Sequence, residues 1–475
     1  MDETTRVAGR AYDDPFPWRF LTALIEAGPR LGGSPGERRA ADLVAEAFDE
    51  AGADPETRPF DIRSWTRGDA EISVHLERDD RTVERSFEAI ALPYSPPGDV
   101  RAPVTDVGHG TPDEIDESAV AGTVALADTA SPEGASYVHR MEKYGHAVEA
   151  GAEAFVFAHH EPGQLVPTGT LRFGHEGAVP AVGVSHETGE WLREYARASS
   201  DEPQTDGQRP PATEGARLRL RVDATTEDGV SHNVVGTLGP DTDAGTTPSG
   251  STGSNDTDEG VLVVAHLDAH DISEGALDNG CGITTVATAA RYLADCDLGC
   301  RVWLAGVGCE ETGLLGAEAL ADRLDPERVR AVVNVDGAGR HRDLRALTHG
   351  SDALAELAER VVGDAGQPCH VSETPHPYSD HWPFLRAGVP ALQLHSQPAS
   401  GHERGRGWGH TAADTRDKTD ARTLRDHAVL TTLLVAALTH EPVPRVDTDD
   451  IRETLVDAGA ESGMRAAGVW PDGWD

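Results

Sequence analysis

The chain has 475 residues, 82 of them acidic against 41 basic, for a formal net charge of −41. That length exceeds one simple core and suits two or three domains, and the charge excludes a general nucleic-acid binder, which needs a basic face. The basic residues are almost all arginine, with Lys143 and Lys418 the only lysines; such a chain repels itself unless salt screens it, so a halophilic setting is expected.

In chain order, the start MDETTRVAGRAYDD is acidic and apolar-poor, unlike a signal peptide, and no later apolar run is long enough to span a membrane. With five scattered cysteines, this predicts a cytoplasmic protein with reduced thiols and no membrane association; Cys296 and Cys300 read as small buried hydrophobes. Residues 17–53 read as helix, turn, helix. LTALIEAG carries an apolar stripe, and GSPGERRAADLVAEAFDEAG begins through Ser34-Pro35 and closes at Gly52. RPFDIRSW and EISVHLER alternate with period two and predict strands. The Pro-rich ALPYSPPGDVRAPV marks a boundary. Beyond it, GTVALAD, AFVFAHH and AVPAVGVS predict short buried strands, with one helix around HRMEKYGHAVEAGA and a closing polar run, RASSDEPQTDGQRPPATEG. We take 96–213 as an inserted domain, 1–95 and 214–441 as the two parts of the main domain, and 442–475 as an unassigned C-terminal tail compatible with a docking helix.

ARLRLRVDAT and SHNVVGTL predict a strand pair, followed by a low-complexity acidic stretch at 239–260. Then GVLVVAHL, ITTVATAARYLADC, RVWLAGVG, GLLGAEALADRL and VRAVVNVD alternate as strand, helix, strand, helix, strand. Continuous apolar strands between helices predict an α/β fold: a mixed, mostly parallel sheet flanked by helices, with an inserted β-rich domain.

The carboxyl ends of these strands carry the chemistry. The first ends in His266 and Asp268, the second in Glu310 and Glu311, the third in Asp336, and Asp278 stands just before a helix. Ligands of open α/β sheets sit beyond such strand ends. Carboxylates crowded there raise one another's pKa, a conflict that a bound divalent ion removes. His266 and Asp268 are two apart and point to one face, which suits a metal-binding imidazole held by a carboxylate. Glu310 and Glu311 point in different directions, so one can ligate while the other addresses a water. HTAADTRDKTD offers His410 as a second imidazole. A His, Asp and Glu set without thiolates suits zinc, with cobalt or manganese as alternatives. Cys281 and Cys309 flank these positions as packing residues, and His395 and His402 read as structural or surface groups. Tyr378, Asp380 and His381 in YSDHWPF suit either a helix start or a substrate-facing role.

The succession HLD, ALDNG, CEETG, NVDG, SDHWPF and HTAADTRDK resembles the di-zinc aminopeptidases of metallopeptidase family 28, over 17–441. The block with VAGTVALAD, AVEAGAEAFVFAHH and AVPAVGVS resembles the protease-associated domain that interrupts many such chains. The resemblance implies the zinc-exopeptidase form of the α/β fold and two zinc ions. Asp278 would bridge them, before a cis Asp278-Asn279 bond. His266 and Asp336 would complete one site, and Glu311 and His410 the other. Glu310 would be the general base and Asp268 its supporting carboxylate. The implied activity is hydrolysis of N-terminal residues from peptide substrates.

Two departures stand out. Gly409 and Trp408 precede His410 where many members carry a tyrosine. Arg404 and Arg406 suit either a substrate carboxylate, as in dipeptidase or carboxypeptidase variants, or local charge balance. The short span from Asp336 to His410 leaves no room for the dimerisation lid of the related deacylases, and glutaminyl cyclases use one zinc. A receptor-like, non-catalytic member would need lost ligands, and none is missing. Oligomeric state is not legible in the sequence.

Overall fold

The computed structural model describes residues 3–78, 81–134, 137–199, 216–240, 259–398 and 407–474. Most of the two predicted polar stretches (those ending near 215 and beginning at 239), together with His402, Arg404 and Arg406, lie outside the described residues. The chain divides into two compact units. One comprises 1–62, 230–409 and 414–454, and the other 63–229, 410–413 and 455–475.

The first unit is built on an eight-stranded mixed sheet. Its strands are β1 (Glu56–Thr66), β2 (Thr225–Leu238), β3 (Gly260–His266), β4 (Arg301–Val307), β5 (Val329–Val335), β6 (Asp343–Leu347), β7 (Cys369–Ser372) and β8 (Ala391–Gln397). They lie in the order β1-β2-β4-β3-β5-β8-β6-β7. The four central strands β4, β3, β5 and β8 are mutually parallel, while β2 and β6 join them antiparallel. The mixed α/β architecture expected from the alternation of apolar strands and helices is the one observed. β3 is buried along its whole length, as a central strand covered on both faces must be.

Helices cover this sheet. The first, α1 (Pro35–Glu50), starts as its sequence predicts: Ser34 accepts a hydrogen bond from the Glu37 amide, Pro35 occupies the first turn, and Gly52 follows in the left-handed region at φ 78°. In α2 (Cys281–Leu293) every residue except Arg291 is buried. A Cβ on Gly282 would lie 2.3 Å from the Val335 carbonyl oxygen, so only glycine lets this helix start against the end of β5. The long α3 (Ala421–His440) is capped by Asp420, which accepts from the Arg422 and Thr423 amides. Val261, Val263, Ile283, Val286, Leu304, Val333, Leu394 and Leu434 share the resulting core. No helix among the described residues is long and apolar enough to cross a membrane.

Two buried ionisable side chains brace this unit. Arg30 is 2 % exposed and donates to the carbonyls of Leu267, Glu274 and Gly275 at 3.1, 2.9 and 2.8 Å, which fixes the path of the chain beyond β3. Glu37 accepts from Ser231 Oγ at 2.7 Å and from the Gly33 amide at 2.6 Å. Burial, with Asp268 nearby, pushes the Glu37 carboxyl up to about 8 against the opposing hydrogen bonds. Its folded form therefore holds a proton that the unfolded form has lost, over the window from 4.5 to about 8. Stability must fall as pH rises through that window. Glu37→Gln can keep both contacts, with its carbonyl toward Gly33 and its amide toward Ser231. We expect it to match the native protein near pH 5 and to exceed its stability above pH 8 by on the order of 1 kcal/mol or more, read from thermal unfolding across pH.

The second unit holds two sheets. In one, strands 90–91, 181–184, 154–158, 124–128 and 104–106 lie side by side in that order, parallel except for the first. In the other, 98–102 pairs with 217–222, which pairs with 70–78, followed by 81–87. In its core Tyr144 meets Phe155 edge to face, and Phe155 stacks on Phe157. Lys143 is fully buried there and donates to the Asp128 and Ala130 carbonyls at 2.8 and 2.5 Å. The tail contributes helix Ala460–Ala467, where Gly463 lies against Glu142.

Candidate metal centre

The parallel register brings the polar strand ends together. His266 pairs with Val307, three residues before Glu310, and Asp336 directly follows Val335. His266 is fully buried, and its Nδ1 faces the Asp268 backbone oxygen at 3.2 Å and Oδ1 at 3.4 Å. With Nδ1 so engaged as donor, Nε2 is the ring nitrogen left for a ligand. It lies 3.6 Å from Asp278 Oδ1 and 3.9 Å from Asp336 Oδ1, with no hydrogen-bond partner among the described residues. Donor atoms of His266, Asp278 and Asp336 all fall within 4.8 Å of one another.

Each carboxylate is held from behind. Asp278 lies in the turn 276–280, whose Asp278-Asn279 bond is cis. Asn279 donates to the Val335 carbonyl at 2.8 Å and accepts from the Gly282 amide at 3.1 Å, which ties this turn to the end of β5. Asp414 accepts from the amides of Leu277 and Asp278 at 2.6 and 3.1 Å. Burial lifts the Asp414 carboxyl to about 7 against those hydrogen bonds. Asp336 Oδ2 accepts from Ser379 Oγ at 2.6 Å, and Ser379 Oγ accepts in turn from Asn334 at 2.7 Å. Asp268 is more than a partner for His266, because its two oxygens accept from the Glu310 and Glu311 amides at 3.1 and 3.2 Å.

The electrostatics ask for a cation. Burial alone would lower His266, yet Glu310, Asp268, Asp278 and Asp336 together raise it well above its ordinary range. Burial raises Glu310 far above the usual carboxylate range; His266 opposes this, and Glu311, Asp336 and Asp380 add to it. Asp380 is fully buried and also raised, first by burial, and neither of its oxygens has a hydrogen-bond partner among the described residues. A protonated imidazole and protonated acids are how this cluster meets its charge by itself; a divalent ion between His266, Asp278 and Asp336 meets it with all three in ligating form. The donors are nitrogen and oxygen only, and Cys281 and Cys309 carry thiols that burial raises. The residues present therefore fit a borderline or hard divalent metal.

Glu311 stands apart from that group and faces His270, whose Nε2 lies 2.9 Å from Glu311 Oε2; both side chains are buried. His410 belongs to the four-residue stretch that groups with the second unit. It has a left-handed φ of 60°, its carbonyl accepts from the Thr168 amide at 2.8 Å, and its Nδ1 faces the Thr168 carbonyl at 3.1 Å. Arg340 approaches Asp278 Oδ2 at 3.6 Å. His381 donates through Nε2 to the His376 carbonyl at 2.9 Å, accepts from Asn334 at Nδ1, and stacks on His349 at 4.2 Å between ring centroids. His395 contacts Gln393, which also donates to Asp336. Sequence reasoning assigned no role to His270, Arg340, Asn279 or Asp414. HLDAH carries the His270 imidazole two residues beyond Asp268, but β3 ends at His266, so strand alternation does not reach it.

Comparison with known proteins bears on both units. Residues 247–435 match the model for peptidase family M28, and residues 98–192 match the model for the PA domain. Aminopeptidase YwaD of Bacillus subtilis is 25 % identical over 426 residues, covering 87 % of this chain and 82 % of that protein. Among solved structures, a zinc aminopeptidase from Bacillus subtilis superposes with a TM-score of 0.64 at 23 % identity, over 88 % of this chain and 93 % of that one. A peptidase M28 precursor from Shewanella amazonensis gives 0.70 at 20 % identity, over 94 % and 97 %. At such identities the structures speak to fold alone.

Proposed function

The chain is a metallopeptidase of family M28 that carries a PA domain, and from that premise we propose that it is a zinc-dependent aminopeptidase with two metal ions. The observation that carries the reading is the group of buried His266 and Asp278 with half-buried Asp336, beside the Glu310-Glu311 pair. The names aminopeptidase and zinc aminopeptidase, borne by the relatives above, support the reaction and the metal.

In this reading His266, Asp336 and Asp278 would hold the first ion. Glu311 and Asp278 would hold the second, with His410 as its imidazole. Bound zinc supplies Lewis acidity, lowering the pKa of water and polarising a carbonyl. Glu310 takes the proton of the attacking water and later gives it to the leaving amine. Asp268 fixes the Glu310 and Glu311 amides and the His266 ring, so one carboxylate orients base and ligands together. Asp414 fixes the backbone that presents Asp278.

Substrates are peptides with a free amino terminus. The net charge of −41 supports action in concentrated salt, and the sparse cysteines support a cytoplasmic setting. The test is hydrolysis of aminoacyl-anilides in about 1 M salt, where the Debye length is ~3 Å. Free-amine substrates should turn over and their N-acetylated counterparts should not. Equal turnover of both would point to an amidase or deacylase instead.

A further inference from the structure

The segment from His266 to His270 delivers two imidazoles on alternating positions, with Asp268 between them. His266 faces Asp278 and Asp336; His270 faces Glu311, at 2.9 Å from Nε2 to Oε2. Both imidazoles are nearly sealed from solvent, His266 at 0 % and His270 at 3 % exposed. Asp268 joins the two halves. Its backbone oxygen and carboxylate face His266 Nδ1, and its carboxylate holds the Glu311 amide. One five-residue stretch thus presents a nitrogen donor to each of two carboxylate groups.

We propose that His270 is a protein ligand of the second metal ion, alongside Glu311. This rests on the two-metal reading above and adds to it a residue outside the ligand set that the family resemblance carries. Two donors 2.9 Å apart, each ~2.1 Å from a common ion, subtend about 90° there, an angle suited to five-coordinate rather than tetrahedral zinc. The two ions then sit in unequal surroundings. The first has one imidazole and carboxylates. With His270 added to the one imidazole that the resemblance assigns, the second would be the more nitrogen-rich. Nitrogen donors select zinc or cobalt over manganese or magnesium, so the second site should be the more discriminating of the two.

The test is metal titration of the dialysed full-length protein with Co(II) and Zn(II), comparing native, His270→Asn and His270→Phe. Native protein should take up two equivalents. In both variants one equivalent should bind within about threefold of native, which also shows that the fold is intact, while the other weakens by more than about 100-fold. Loss of a mere hydrogen-bonding partner of a ligand costs 10–100-fold, so a smaller loss overturns the inference. The visible spectrum of the second cobalt should change with its affinity; an unchanged spectrum counts against ligation. X-ray absorption of the native zinc protein needs no variant. Three imidazoles shared by two ions support His270, and two refute it. Fewer than two equivalents in the native protein would instead remove the two-metal reading itself.

Discussion

Glu310→Gln should retain both metal ions and lose turnover by about 10²–10⁴-fold, the usual worth of a positioned general base. The substitution keeps the shape of the side chain. It leaves intact the backbone amide that donates to Asp268, so the turn carrying Glu310 and Glu311 should not move. What it removes is a proton acceptor. Burial and the neighbouring carboxylates Glu311, Asp336 and Asp380 raise the Glu310 carboxyl well above its ordinary range, with His266 opposing. Positive charge bound among those neighbours would oppose that rise and favour the ionised form that accepts a proton. The loss should fall on kcat, with KM and metal content near native. A variant that keeps full activity on aminoacyl-anilides would assign the base elsewhere.

The second large effect is expected from chelation. Stripping the metal should abolish hydrolysis and lower stability together, because the site is a buried cluster of like charges that metal neutralises. At a free metal concentration 1,000 times Kd, binding to the folded state alone adds about 4 kcal/mol. The loss should reverse on adding zinc. The direction with pH follows from His266. In the metal-free protein the surrounding carboxylates raise the imidazole against the lowering effect of burial, so metal competes with a proton there. Metal affinity should therefore weaken as pH falls. Calorimetric titration in buffers of different ionisation enthalpy should register proton release on loading. Uptake with no proton release would mean that His266 is not a ligand.

Much of this was legible in the sequence, for a definable reason. The helix from Pro35 to Glu50 announces itself through local chemistry, a serine cap and a proline in the first turn. The strands β3, β4 and β5 are short apolar runs whose last residues change abruptly to His and carboxylates, so periodicity alone gives both the element and the end that matters. What stayed hidden depends on partners distant in the chain. Asp414 is one acid among many in an acidic protein until the fold sets it against the amides of Leu277 and Asp278. Arg30 looks like any helix-terminal arginine until its guanidinium is enclosed by three carbonyls from the loop after β3. Asn279 reads as half of a turn dipeptide, yet its amide joins the Asp278 turn to Val335. Local composition cannot report such pairings, because the same residue types are common on any solvated surface.

The grip of Asp268 on two consecutive amides has a consequence for distances. Glu310 and Glu311 are separated by one trans peptide unit, about 3.8 Å between Cα atoms, and no side-chain rearrangement can stretch it. The two backbone positions therefore keep a fixed spacing, and only side-chain torsions are left to set where each carboxylate points. Thermal motion of that corner should carry both glutamates along as a single piece.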